Sequence, residues 1–283
     1  NLFAQWEEAK RQTKDFAGCT MIKVYTSGTF FEDREIPVDF QEAILVETHE
    51  RGMHLVVEAQ AQLCYPDKLA WLAEKHPGCT VALGLEAYDD VVLRFHVNKG
   101  FSVKQWHKAV DLLRENNLRV KTYLIFKPPF MSEGDALNLT TKWVKQVAPH
   151  SDEVSINPMN IQRGTIVDRL FRNREFRPPW LWSLVDMIEN THEEISKLEC
   201  RTIVHPTAGG RIRGAHNCGS CDEDIVAAIE RYSVSSNLDE FSDIDCECKR
   251  VWKSEIENDS MLPTILGSGV ERRVSRVDTV RAP

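Results

Sequence analysis

Apolar residues along this chain gather in short runs, and amphipathic stretches separate them. The run at residues 21–26 predicts a strand ended by Gly28, and Pro37 opens a helix-like stretch that reaches residue 49 before Gly52. Further strand-like runs lie at 54–59, 80–85, 120–126, 154–156 and 202–204. Helical patterns fall between them at 66–75, 103–116, 132–147, 165–172 and 181–198, with Ser132 as a cap and Pro77-Gly78 as a stop. Segment 97–101 reads as a helix-ending turn capped by Gly100. Two more helices are expected at 222–232 and near 249–257.

Six strand-like runs separated by helices form the pattern of a parallel βα fold. No GxGxxG turn follows the first strand, so a barrel layout fits better than a dinucleotide-binding one. The 283 residues suffice, since such barrels use roughly 200–250 residues as one domain. The expected class is therefore α/β, an incomplete TIM-type βα barrel over residues 1–212. A small Cys-rich metal-binding extension follows at 213–259 and a mobile tail at 260–283. Chemistry in such barrels sits where strands end. Those positions are held by Ser27 and Gly28, then Glu58, Glu86, Lys127, Asn157 and His205, which are expected to line one pocket.

Composition narrows the class further. An apolar content of 42% with 28% charged residues is that of a soluble globular chain. No apolar run reaches the roughly 20 residues of a membrane helix, and no secretory signal opens the chain. No membrane partner is expected. The net charge of -8 argues against unspecific coating of nucleic acid and leaves local basic sites open, such as the arginines at 169, 172, 174 and 177. Of eight cysteines, Cys19, Cys64, Cys79 and Cys200 are scattered among apolar neighbours and read as small core side chains or inert thiols. The other four form Cys218-x-x-Cys221 and Cys246-x-Cys248. In a chain this long without a signal peptide, that clustering points to a metal in a reducing cytoplasm.

Each motif has a plain alternative. Ser27-Gly28 lets a ligand approach backbone or makes a tight turn. Glu86 after its apolar strand accepts from a ribose hydroxyl or an ammonium, or carries a helix N-terminal charge. Lys127, stiffened by Pro128-Pro129, meets a carboxylate or phosphate, or snorkels at the surface. Trp180 and Trp182 beside Arg177 suit stacking on unpaired RNA bases, or pack in the core. The four clustered thiolates suit tetrahedral zinc or an iron–sulfur cluster, with His216 able to replace one of them.

Taken together, Thr26-Ser27-Gly28, Gly84-Leu85-Glu86, Asn98-Lys99-Gly100-Phe101 and Lys127-Pro128-Pro129-Phe130 resemble the radical S-adenosylmethionine superfamily, in the branch shared with elongator and methylthiotransferase enzymes. The stretches Arg177-Pro178-Pro179-Trp180-Leu181-Trp182 and Arg213-Gly214-Ala215-His216-Asn217-Cys218-Gly219 narrow it to the radical enzymes of archaeosine biosynthesis, over about residues 5–252. Two departures stand out. The family's CxxxCxxC loop, whose thiolates hold a [4Fe–4S] cluster, has no counterpart, and Gln60 stands where the family more often has arginine. The chain is expected to begin after that loop, because a strand ahead of residue 21 would complete the barrel.

The resemblance implies a radical lyase that converts a lysine-modified 7-deazaguanine of the tRNA D-loop to archaeosine. Its cofactors would be a [4Fe–4S] cluster, S-adenosylmethionine, and zinc or an auxiliary iron–sulfur cluster at Cys218, Cys221, Cys246 and Cys248. By matched position, Ser27 and Gly28 would face the methionine amino group and Glu86 the ribose. Glu58, Lys127, Asn157 and Gln162 complete the candidate cofactor set, and Arg177, Trp180 and Arg213 the candidate RNA contacts. The implied partners are tRNA and the lysine-transferring archaeosine synthase. Two alternatives stay open: a non-catalytic tRNA-binding or partner-stabilising subunit, and a zinc enzyme using His205, His216 and the cysteines.

Overall fold

The computed structural model describes residues 2–25 and 28–259; Ser27 and the expected tail at 260–283 lie outside the described residues. Six strands carry the fold: β1 (Met21–Val24), β2 (His54–Ala59), β3 (Thr80–Glu86), β4 (Arg119–Phe126), β5 (Glu153–Pro158) and β6 (Arg201–Val204). The helices are α1 (Leu2–Gln12), α2 (Val38–Glu50), α3 (Pro66–Lys75), the short α4 (Asp90–Val92), α5 (Val103–Glu115), α6 (Glu133–Val147), α7 (Ile166–Arg172), α8 (Leu181–Ile195), α9 (Asp222–Ser235) and α10 (Cys248–Asp259).

The strands pair in sequence order, β1-β2-β3-β4-β5-β6, as a half-barrel sheet does. Registers of the first four strands are parallel, from Met21 opposite His54 to Val81 opposite Val120. Flanking bonds extend the same sense: the Asp152 and Met159 amides donate to the Val120 and Phe126 carbonyls, and those of Arg201 and His205 to Asp152 and Ile156. Buried on both faces, β3 needs a near-continuous apolar run and has one from Val81 to Leu85, whereas β4 buries Lys121 and Thr122 among its apolar residues.

Contacts divide the described chain into two compact units. The first takes in residues up to 124 together with 146–155 and 195–202; the second holds 125–145, 156–194 and 203–259. In the first, the buried set includes Leu55, Val57, Val81, Leu83 and Leu85 with Trp106, Val110 and Leu113 of α5; that helix lies against β3, and its start carries a reciprocal Ser102–Gln105 cap. In the second, the buried set includes Phe126, Trp143, Ile156, Leu184, Ile188, Ile225 and Ile229. The Cys-rich segment, expected as a separate extension, thus belongs to the same unit as α7 and α8.

Local corrections have local causes. Helix α4 runs on into a π-helical turn at Leu93–Val97, and its left-handed cap is Asn98 (φ 61°), not Gly100. Of the four scattered cysteines, Cys64 and Cys79 are buried as expected, whereas Cys19 is exposed and Cys200 half-buried. Ser132 caps α6 by accepting from the Asp135 amide.

Candidate metal centre

The second unit brings Cys218, Cys221, Cys246 and Cys248 together with every sulfur within 4.8 Å of the others. Neighbouring pairs are closer: 3.9 Å for Cys218–Cys221, 3.7 Å for Cys218–Cys246 and 3.6 Å for Cys221–Cys248. Four bonds of about 2.3 Å in tetrahedral array put sulfurs ~3.8 Å apart, so the spacing fits one ion. A four-iron cube attaches each thiolate to a different iron and spreads them wider. The group is able to hold a metal, and its four ligands are all protein thiols, the closed pattern of a structural site.

Local sequence sets these positions. Gly219 takes φ 94°, which turns the chain tightly between the first two cysteines. Cys221 stands at the N-cap of α9, and Cys248 opens α10. Asp222 accepts from the amides of Asn217 (3.0 Å) and Gly219 (3.2 Å). The sulfurs receive outer donors: Asn217 Nδ2 at 3.5 Å from Cys221 and Trp182 Nε1 at 3.2 Å from Cys248. Such N–H groups favour thiolates and hold them in place. The Ser220 amide draws the exposed Cys218 thiol down to about 6, whereas burial pushes Cys221 and Cys248 up. His216 takes no part in the thiol group; its Nδ1 lies 2.8 Å from the Gly214 carbonyl.

A second network starts at the same place. Asn217 Oδ1 accepts from the Leu181 (2.9 Å) and Trp182 (3.3 Å) amides, so the cysteine motif caps α8. Beside it lies Glu133, with its side chain fully buried. Its carboxylate accepts from Lys127 Nζ (2.7 Å), the Trp180 amide (2.9 Å) and Ser183 Oγ (2.6 Å). Trp252 Nε1 then donates to Ser183 Oγ at 2.8 Å. Lys127, 5% exposed, is thus engaged within the fold and takes a left-handed backbone (φ 59°).

The first unit has its own strand-end groups. A register shift between Gly84 and Glu86, with Glu86 at φ 73°, aims its carboxylate back over Gly84, where Lys99 Nζ meets it at 3.0 Å. A Cβ on Gly84 would approach that carboxylate to 2.8 Å, so a larger residue there would shift the Glu86 carboxylate. Glu58 bonds the Tyr123 phenol, whose pKa burial and these neighbours raise. The Gly28 and Thr29 amides donate to Glu35 at 3.1 and 3.2 Å.

No family model matches the chain. A protein of Methanosarcina acetivorans described as archaeosine synthase subunit beta is 31% identical over 261 residues, which span 91% of this chain and 75% of that relative. The chain belongs to the archaeosine synthase subunit beta family. A second member, from Thermococcus kodakarensis, is 30% identical over 257 residues, spanning 89% of this chain and 79% of the relative. Among solved structures, an N-terminally deleted Elp3 from Methanocaldococcus infernus aligns with a TM-score of 0.58 at 19% identity. It covers 81% of this chain and 57% of that one, a likeness of fold.

In this family member, Glu58, Glu86 and Asn157 each occupy the C-terminal end of a strand, while Lys127 follows β4 and His205 follows β6. Gln162 is exposed and donates to Asn160 Oδ1 at 2.8 Å. Trp180 is 7% exposed; its Nε1 donates to Glu255 at 2.9 Å and the Arg177 guanidinium lies 3.9 Å over its ring. The indole is thus held within the fold on both its edge and its face. Arg213 is likewise committed, to Asp168 Oδ1 (2.7 Å) and the Ile161 carbonyl (3.1 Å).

Glu133, Lys99 and Glu35 pair with these candidate positions without any signal in the sequence pattern. Each acts across a loop that periodicity does not resolve.

Two expected outcomes follow from these contacts. Asp168, held by Arg213, the Gly164 amide and Arg172, keeps its carboxyl at about 2. With the folded value depressed below the ordinary 3.8, its stabilisation is complete above about pH 4 and disappears as pH falls towards 2. Acid unfolding of Asp168→Asn should therefore flatten over that interval; an unchanged profile would remove Asp168 from the account. Gly214 is the second case. A Cβ there would lie 2.1 Å from the Ala208 carbonyl oxygen, so Gly214→Ala must move backbone and should cost about 1–3 kcal/mol in urea unfolding.

Proposed function

We propose that this chain is the archaeosine synthase subunit that acts on tRNA carrying a lysine-modified 7-deazaguanine. Its reaction would be a radical S-adenosylmethionine lyase reaction that leaves archaeosine. The carrying observation is the 31% identity across 91% of the chain to a protein described as archaeosine synthase subunit beta. The strand-end groups support the reading. Glu58 and Glu86 of the first unit occupy positions suited to a cofactor's ribose or ammonium groups.

The chain does not itself fit a [4Fe–4S] cluster of the CxxxCxxC kind. Cys64 and Cys79 are buried with their thiols pushed up by desolvation, and the four C-terminal sulfurs crowd one point. That centre is assigned to zinc, with a structural role. The lysine-transferring subunit is the proposed protein partner.

The test is anaerobic incubation of the natural protein with S-adenosylmethionine, reductant and lysine-modified tRNA, followed by nucleoside analysis. Archaeosine and 5′-deoxyadenosine are the expected products. A second reading is a non-catalytic tRNA-binding or partner-stabilising subunit. Unchanged tRNA together with retained tRNA binding would select it.

A further inference from the structure

One cleft of the second unit, about 510 Å³ in volume, is lined by side chains of both charges. Its size falls in the usual range for small-ligand sites. Two of its charges, Lys127 and Glu133, satisfy each other at 2.7 Å. Arg177 and Glu255 do not. The Arg177 guanidinium donates to two backbone carbonyls, Pro178 and His216, both at 2.8 Å, and no carboxylate among the described residues pairs with it. Glu255 accepts from Trp180 Nε1 at 2.9 Å and has no cationic partner among the described residues. Both flank the same indole, since Arg177 stacks 3.9 Å over the Trp180 ring.

Opposite charges that share a cleft without forming a direct ion pair can each take a partner from a zwitterionic ligand, which would match half-buried charges more fully. Burial pulls the Arg177 pKa down, and the Glu133 and Glu255 carboxylates oppose it. Arg174 and Glu175 repeat the combination at the lining, which leaves no cationic excess for a phosphate. An uncharged ligand would leave both groups unmatched. Phe171 and Phe176 add apolar wall beside them.

We propose that this cleft binds the α-amino-acid end of an aliphatic chain, with its carboxylate on Arg177 and its ammonium on Glu255. The guanidinium fork matches a carboxylate bidentately, and the aromatic wall covers methylenes. A lysine attached through its ε-nitrogen presents this chemistry. That last identification rests on the function proposed above and names the part of the substrate that the second unit holds.

Calorimetric titration of the metal-loaded protein with Nε-acetyl-L-lysine tests it without tRNA or turnover. Binding is expected, and blocking either end, as the α-carboxamide or as Nα,Nε-diacetyl-L-lysine, should weaken it at least tenfold. Arg177→Met should do the same. So should Glu255→Gln, which keeps the shape of the side chain and has its folding checked by metal content and circular dichroism. No binding of Nε-acetyl-L-lysine overturns the proposal. It is also overturned if inorganic phosphate or S-adenosylmethionine displaces the probe in an Arg177-dependent manner, since the cleft would then serve an anion or the cofactor. A negative titration beside an active tRNA assay rejects the cleft alone; a positive titration beside unchanged tRNA rejects the proposed reaction alone.

Discussion

Cys248→Ser should release the metal and unfold much of the second unit, whereas Cys64→Ser should leave the metal in place. Structural zinc sites contribute on the order of 10 kcal/mol to the folded state, comparable with the ~5–15 kcal/mol of a whole domain. Cys248 also receives Trp182 Nε1 and opens α10, so its loss reaches two helices at once. Zinc content should be one ion per chain in the native protein and near zero in the variant. Hydrogen exchange should rise across α8, α9 and α10 far more than across β2 and β3. A chelator should reproduce the effect, and readdition of zinc should reverse it. A Cys248→Ser protein that keeps both its ion and its melting temperature would end the structural-site assignment.

The second large effect belongs to Glu133. Glu133→Ala strips a buried ammonium of its carboxylate and leaves the Trp180 amide and Ser183 hydroxyl without their acceptor. Breaking one side of a buried ion pair costs about 3–5 kcal/mol, and this site should lie at the upper end. Glu133→Gln retains an acceptor for Trp180 and Ser183 and should recover part of the loss. Combining Lys127→Met with Glu133→Gln should recover more, because no unpaired charge then stays buried. Urea unfolding of the set measures the coupling. Additive losses in the double variant would show that Lys127 and Glu133 do not depend on each other.

Much of this fold could be read from periodicity, since strands buried on both faces need apolar runs such as those at β2 and β3. The cysteine centre was equally legible, because CxxC and CxC spacing restricts where four thiolates can meet. What escaped were contacts made by ordinary residues at loop ends. Glu133 looked like any acid in a first helical turn, and only tertiary packing makes it the acceptor of three groups. Lys99 read as part of a turn, although a bulge and a left-handed Glu86 bring the two together. Trp180 has the residue type of an RNA contact, yet Arg177 covers its ring. Residue type identifies what a side chain can do; its exposure decides whether it does.

The start of α8 is bound mainly to residues that come much later in the chain. Trp180 bonds Glu255, Trp182 bonds Cys248, Ser183 bonds Trp252, and Asn217 caps the helix. A ribosome must therefore make some 70 further residues after α8 begins before these partners exist, and sequence-distant pairing of this kind is slow. Helices α7 and α8 wait through that interval with apolar faces uncovered, the condition in which nascent chains aggregate or are cut. The earlier βα units, each pairing with the strand before it, can settle as they emerge. Protease sensitivity during synthesis should accordingly fall sharply only once α10 has left the ribosome.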